Sequence, residues 1–255
     1  MTSGSPPNAA RPRGLFARLS VLEPAPPWGW GAAASAVIVA VVAVIGISVI
    51  TLAVLGVQSY TVYLGWMIAG VIMAYWVVST RSDPEDRAAM RLELPTIPLP
   101  FLMFIMIGFV LVIDLLGLAV TGLFLPFMEL FTFNITNATA LEWIFAVGFM
   151  VFTQPVGEEM IFRGVLFPLM RARLGAVGGL VANAAAYALF HLVLYTSQIG
   201  AVDPRALIWY GLIAPFLDGL ILACVRAYTQ STSAAIVAHV VFGLFAIVKL
   251  FVITG

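Results

Sequence analysis

The chain predicts an all-α fold: a polytopic membrane helical bundle of about seven transmembrane helices, with the N-terminus inside. Three observations carry this. Of its 255 residues, 62% are hydrophobic and 9% charged, against about 25% charged in a soluble domain. The apolar residues gather in runs long enough to cross a hydrocarbon core of about 30 Å as helices. The basic residues, 11 Arg and a single Lys, then divide unevenly between the two sides. A soluble function is excluded. No basic run approaches the roughly five residues that would mark a nucleic-acid surface, and the lone Cys224 has no partner for an internal disulfide and reads as a small core residue.

Residues 1–27 are rich in Pro, Ala, Ser and Gly and carry Arg11, Arg13 and Arg18. They read as a flexible N-terminal cytoplasmic tail, and residues 28–255 as a single transmembrane domain. Trp28 and Trp30 stand at the start of the first span, 31–57, as interfacial anchors. The second span, 60–80, keeps its Tyr and Trp residues towards its ends. A polar loop follows, with Arg81, Arg87 and Arg91 set among four acids, and the Pro95, Pro98 and Pro100 cluster breaks the chain before a third span at 100–124. Residues 140–172 are helical in pattern for about 50 Å at 1.5 Å per residue, more than a bilayer needs. Pro155 and Gly157 predict a kink in their middle, and a split there would make eight helices. The remaining spans are 176–195, 206–226 and 232–253. With this count Arg11, Arg13, Arg18, Arg81, Arg87, Arg91, Arg171, Arg173 and Arg226 fall inside, and only Arg205 and Lys249 outside, as the positive-inside rule requires.

Within the long fourth segment, Gln154–Gly164 places Glu158, Glu159 and Arg163 at membrane depth, where an ionised side chain persists only if paired, solvated or used. On a helix, Glu159 and Arg163 are i,i+4 and about 40° apart, a spacing that favours an ion pair. Glu158 points about 100° away and is left as the carboxylate without a counter-ion. The only two histidines, His191 and His239, both fall in predicted spans. Asn183, Tyr187 and His191 form one polar stripe on the fifth span; Ala182 and Ala186 beside them, and Ala235 and Gly243 around His239, let helices approach closely. A carboxylate and two imidazoles in a wet pocket bind a metal such as zinc, through Glu158, His191 and His239. Alternatively they deprotonate water directly and steady an oxyanion. Either route gives hydrolysis; a purely structural polar cluster is the competing reading. Asp114 and Asp218, in the third and sixth spans, would suit an ion pathway, but no internal pseudo-symmetry supports a transporter. Asp218 is expected to line the cavity, and Asp114 to pair with an arginine or hold a proton.

Three segments resemble the motifs of one family. Glu158-Glu159-xxx-Arg163 looks like the EExxxR motif of the CPBP family, the CAAX prenyl endopeptidase and bacteriocin-processing (Abi) intramembrane proteases. Tyr187-xxx-His191 is similar to its FxxxH motif, and Thr229–His239 to the segment leading to its second histidine, with Phe216 and Gly219 fitting positions upstream. The resemblance covers roughly residues 140–245. It implies a helical bundle in which Glu158 activates water with His191 as partner, Glu159 and Arg163 hold the helix and the pocket electrostatics, and His239 is an oxyanion donor or a zinc ligand. It implies a peptide or membrane-protein substrate and a multi-pass protein of a bacterial inner (plasma) membrane. Two positions depart from the pattern: Tyr187 stands for Phe, and Gly243 for the Asn of HxxxN. Loss of an oxyanion donor costs on the order of 3 kcal/mol, so Asn183 or Tyr187 must supply it, or the chain acts as a membrane scaffold or chaperone for a partner protein.

Overall fold

Hydrocarbon offers no partner for backbone N–H and C=O groups, so apolar runs of this length must close their hydrogen bonds within themselves. The computed structural model describes residues 14–58, 60–131, 133–196 and 203–254; Arg11 and Arg13 lie outside them. The described elements are α1 (Leu15–Leu19), α2 (Trp30–Leu55), α3 (Thr61–Thr80), α4 (Pro84–Met90), α5 (Leu99–Thr121), α6 (Ala140–Tyr195), α7 (Pro204–Thr229) and α8 (Thr232–Thr254), and they include no strand. Six of these helices are long and apolar enough to cross a membrane. The fourth of the six, α6, is interrupted at Gly175, whose φ of 77° and ψ of −179° belong to a region that glycine alone adopts without strain. Its two arms, 140–174 and 176–195, are the fourth and fifth of the seven spans expected.

The split at Pro155 that would have made eight helices is absent. The first arm of α6 passes through Gln154–Glu159 without interruption, flanked by wide π turns at Gly148–Thr153 and Met160–Leu166. Wider turns accommodate a missing N–H and a bulky ring without ending the helix. They also turn backbone carbonyls outward for other side chains. Asn183 Nδ2 donates to Phe162 O at 2.9 Å, Trp28 Nε1 to Val165 O at 3.0 Å, and Thr232 Oγ1 to Arg163 O at 3.5 Å. Each clamps the strand of backbone carrying the acidic pair to a different part of the chain.

Small residues set the packing distances. α2 buries Ala33, Ala36, Ala40 and Ala43 and packs chiefly on α3. Gly70 of α3 and Gly157 of α6 meet backbone to backbone, since a Cβ on Gly157 would lie 2.7 Å from Gly70 O. Large apolar side chains such as Ile38, Val42, Phe104, Leu115, Val248 and Phe251 point outward, giving the surface a lipid-compatible character. The polar side chains lie inside: Glu158, Glu159, Arg163 and Asn183 are wholly enclosed.

Residues 14–27, expected to be part of a flexible tail, are held against the bundle. Glu23 is buried and forms a bidentate pair with Arg226 at 2.6 and 2.8 Å, and it also meets Arg91 at 3.2 Å. Arg171 Nη2 donates to the carbonyls of Leu19 and Val21 at 2.8 and 2.6 Å. The cause lies in the partners: Arg171 and Arg226 are almost fully buried, and a buried guanidinium needs acceptors that the bundle alone does not provide.

Candidate active site

The site is assembled where the first arm of α6 passes its second arm, α7 and α8. Glu158 and Glu159 are consecutive, so they leave the helix on different sides and acquire different neighbours. Glu159 Oε1 meets Arg163 Nη1 at 2.9 Å, with both side chains fully buried. Arg163 Nη2 donates to Gly219 O of α7 at 2.7 Å, and the guanidinium lies over the Tyr187 ring at 4.5 Å. The same Glu159 oxygen is 3.0 Å from His239 Nδ1, and His239 Nε2 faces the Tyr187 hydroxyl at 3.4 Å. The acid thus orients an imidazole on α8 as well as pairing with the arginine on its own helix.

Among the described residues no guanidinium or ammonium pairs with Glu158. Its Oε2 lies 3.1 Å from His191 Nε2, while Oε1 accepts from Gln154 Nε2 at 3.1 Å and from the Tyr195 hydroxyl at 3.2 Å. The far nitrogen of His191, Nδ1, stands 3.2 Å from Glu129 Oε1, and Gln154 Nε2 donates to that same oxygen at 3.2 Å. Glu129 lies in the loop before α6, on a short 3₁₀ turn, Met128–Leu130. Burial raises its carboxyl, but the neighbouring His191 outweighs this and holds it below the usual value of 4.5.

These groups border a cavity of about 60 Å³, room for a few water molecules. Glu129, Gln154, His191, His239, Tyr187 and Asp218 line it, with apolar walls from Phe127, Met150, Trp209 and Phe242. Glu158 is wholly enclosed one layer behind, reached past Gln154 and His191. Asp218 Oδ1 is buried with no hydrogen-bond partner among the described residues.

Across residues 140–245 the sequence matches the family model described as Type II CAAX prenyl endopeptidase Rce1-like. Over these residues, less than half of the chain, the sequence is similar to that family. The Rce1-like segment holds Glu158, Glu159, Arg163, Asn183, Tyr187, His191 and His239, and ends just beyond Gly243. Neither the curated proteins nor the solved structures contain a match to the chain. The six helices suited to crossing a membrane fit an integral, multi-pass membrane protein, and the family that residues 140–245 resemble is one of endopeptidases.

The structure brings together most, not all, of the residues singled out in the sequence. His191 and His239 border one cavity, but Glu158 touches only the first, and Glu159 takes the second. Asn183 does not reach the cavity: its amide nitrogen is bound to Phe162 O. Tyr187 does. Asp114 pairs with Lys249 rather than with an arginine. Zinc through Glu158, His191 and His239 does not fit this arrangement, because both nitrogens of each ring face other side chains. Among the described residues no three His, Cys, Asp or Glu groups are placed to hold a metal ion. Glu129 went unread in the sequence: it stands in a loop without periodicity and outside the Rce1-like segment, and only the absence of any Lys or Arg from residues 125–139 hinted that its partner lay elsewhere.

Gly243 has a physical explanation. It lines the cavity where α8 crosses the first π turn of α6, and a Cβ there would run into the carbonyl oxygen of Met150. The backbones are too close for a side chain, so an asparagine cannot be carried at this position in this packing.

Proposed function

We propose that the chain is an intramembrane endopeptidase of the CPBP type, which hydrolyses a peptide bond in or near the membrane by means of a water activated at Glu158 and His191. The supporting observation is the contact of 3.1 Å between a fully buried carboxylate, paired with no Lys or Arg among the described residues, and an imidazole that borders the cavity. Water reaching Glu158 enters between Gln154 and His191. Glu158 takes its proton as the oxygen attacks the carbonyl carbon, and the proton passes to the departing amine through the dyad. His239, held by Glu159, and the Tyr187 hydroxyl also border the cavity and donate to the developing oxyanion in place of the missing asparagine. The route is direct, with no metal in it.

The peptide substrate enters from a membrane partner, and the bilayer we assign is a bacterial inner (plasma) membrane with the N-terminus on the cytoplasmic side. The substrate class that the Rce1-like match suggests is a CAAX-type prenylated terminus. A test independent of that class compares new peptide termini in membranes from cells expressing the wild type, Glu158→Gln or His191→Gln. Termini present only with the wild type are expected. If none appear, the peptidase reading falls and the scaffold role, which the glycine at position 243 favours, takes its place.

A further inference from the structure

His191 is held from both sides. Its Nε2 faces Glu158 Oε2 at 3.1 Å and its Nδ1 faces Glu129 Oε1 at 3.2 Å. A neutral imidazole carries one N–H and one bare lone pair, and a lone pair aimed at a carboxylate oxygen is repelled. When Nδ1 carries its proton on the side of Glu129, 3.2 Å away, a second proton lies between Nε2 and Glu158, on one or the other. Glu129 is the acid that faces the far side of the ring. It also accepts from Gln154 Nε2, so one oxygen grips both side chains that stand between Glu158 and the cavity. The other groups facing the ring are Tyr187 and Tyr195 from its own helix, with Asp218 of α7 and His239 of α8 across the cavity. None of these presents an acceptor to Nδ1 in the structure.

We propose that Glu129 is the positioning residue of the site: from a loop outside the Rce1-like segment it orients His191 and Gln154, and so completes an acid–imidazole–acid chain ending at Glu158. It acts through His191 and does not touch the scissile bond, in the manner of a group that sets the tautomer of a catalytic histidine. The proposal rests on the endopeptidase reading for its catalytic meaning and on geometry alone for its structural meaning, and the two are separable by experiment.

The chain has only two histidines, so protein labelled with ¹⁵N-histidine gives two ring systems, and His239→Gln assigns them. The wild type is expected to show an exchange-protected His191 Nδ1–H, lost in Glu129→Ala and retained in Glu129→Gln, whose amide oxygen still accepts. Cleavage of a substrate identified by the terminus comparison should fall by at least tenfold in kcat in Glu129→Ala, with KM little changed, and recover in part in Glu129→Gln. A thermal melt of each variant within a few degrees of wild type shows that the fold is retained. A protected Nδ1–H that survives Glu129→Ala overturns the proposal, as does an unchanged kcat. Loss of the proton signal together with a wild type that cleaves nothing sinks the endopeptidase reading and leaves the positioning role intact.

Discussion

Two neighbouring acids, Glu158 and Glu159, are chemically identical and meet different neighbours because the helix turns by about 100° between them. That division was legible in the sequence, as was the Glu159–Arg163 pair, because both follow from spacing along one helix. The meeting of Glu159 with His239 was not, since it depends on how α8 lies on α6. Nor was the fate of Asn183: its stripe on the fifth span pointed towards His191, yet a π turn on the neighbouring arm exposes the Phe162 carbonyl that captures it. Tyr187 is the residue whose hydroxyl the family pattern lacks, and it sits within reach of His239 Nε2. Removing one preorganised donor to an oxyanion costs about 10²-fold or more in kcat. Tyr187→Phe is therefore expected to lower kcat by roughly that factor with KM nearly constant. Initial rates over a range of substrate concentration check this, and an unchanged kcat would remove Tyr187 from the chemistry.

At the scale of elements, the lengths of the spans were readable because hydrophobic thickness dictates them, and their ends agree closely with the helices found. What happens inside the fourth segment was not. Pro155 signals a break in any helical pattern, and only the surrounding packing decides whether a wide turn absorbs it. The decisive contacts are those where backbone meets backbone: Gly70 with Gly157, and Gly243 with Met150. Restoring the family's asparagine at position 243 would force α8 away from the first π turn of α6. Overpacking of this kind costs about 1–3 kcal/mol, so Gly243→Asn should lower the melting temperature in detergent and fail to raise cleavage. A variant that melts like wild type and cleaves faster would show that the helices can part there without cost.

Across the whole molecule, large apolar side chains cover the outside, many ionisable ones lie within, and several buried charges recruit a partner from a distant part of the chain. Asp114 of α5 reaches Lys249 of α8, and Arg163 reaches the α7 backbone. Arg226 near the end of α7 reaches back to Glu23, over two hundred residues earlier. The last of these ties residues 14–27 to the same end of the bundle as Arg91 and Thr232, whose hydroxyl accepts from Arg226 Nε at 3.0 Å and donates to Met90 O at 2.6 Å. Composition alone made this stretch look like a solvated tail, because a low-complexity segment carries no sign of the buried guanidinium waiting for it. Removing one member of a buried, hydrogen-bonded charge pair costs about 3–5 kcal/mol, since the other is left enclosed without a counter-charge. Glu23→Ala is accordingly expected to lower the melting temperature and the monodisperse yield, and Glu23→Ala combined with Arg226→Met should recover much of the loss. Because Glu23 is not among the residues lining the cavity, the folded fraction of the single variant should retain wild-type kcat. Normal melting of Glu23→Ala would mean that residues 14–27 contribute nothing to holding α7 in place, and that Thr232 suffices as a partner for Arg226.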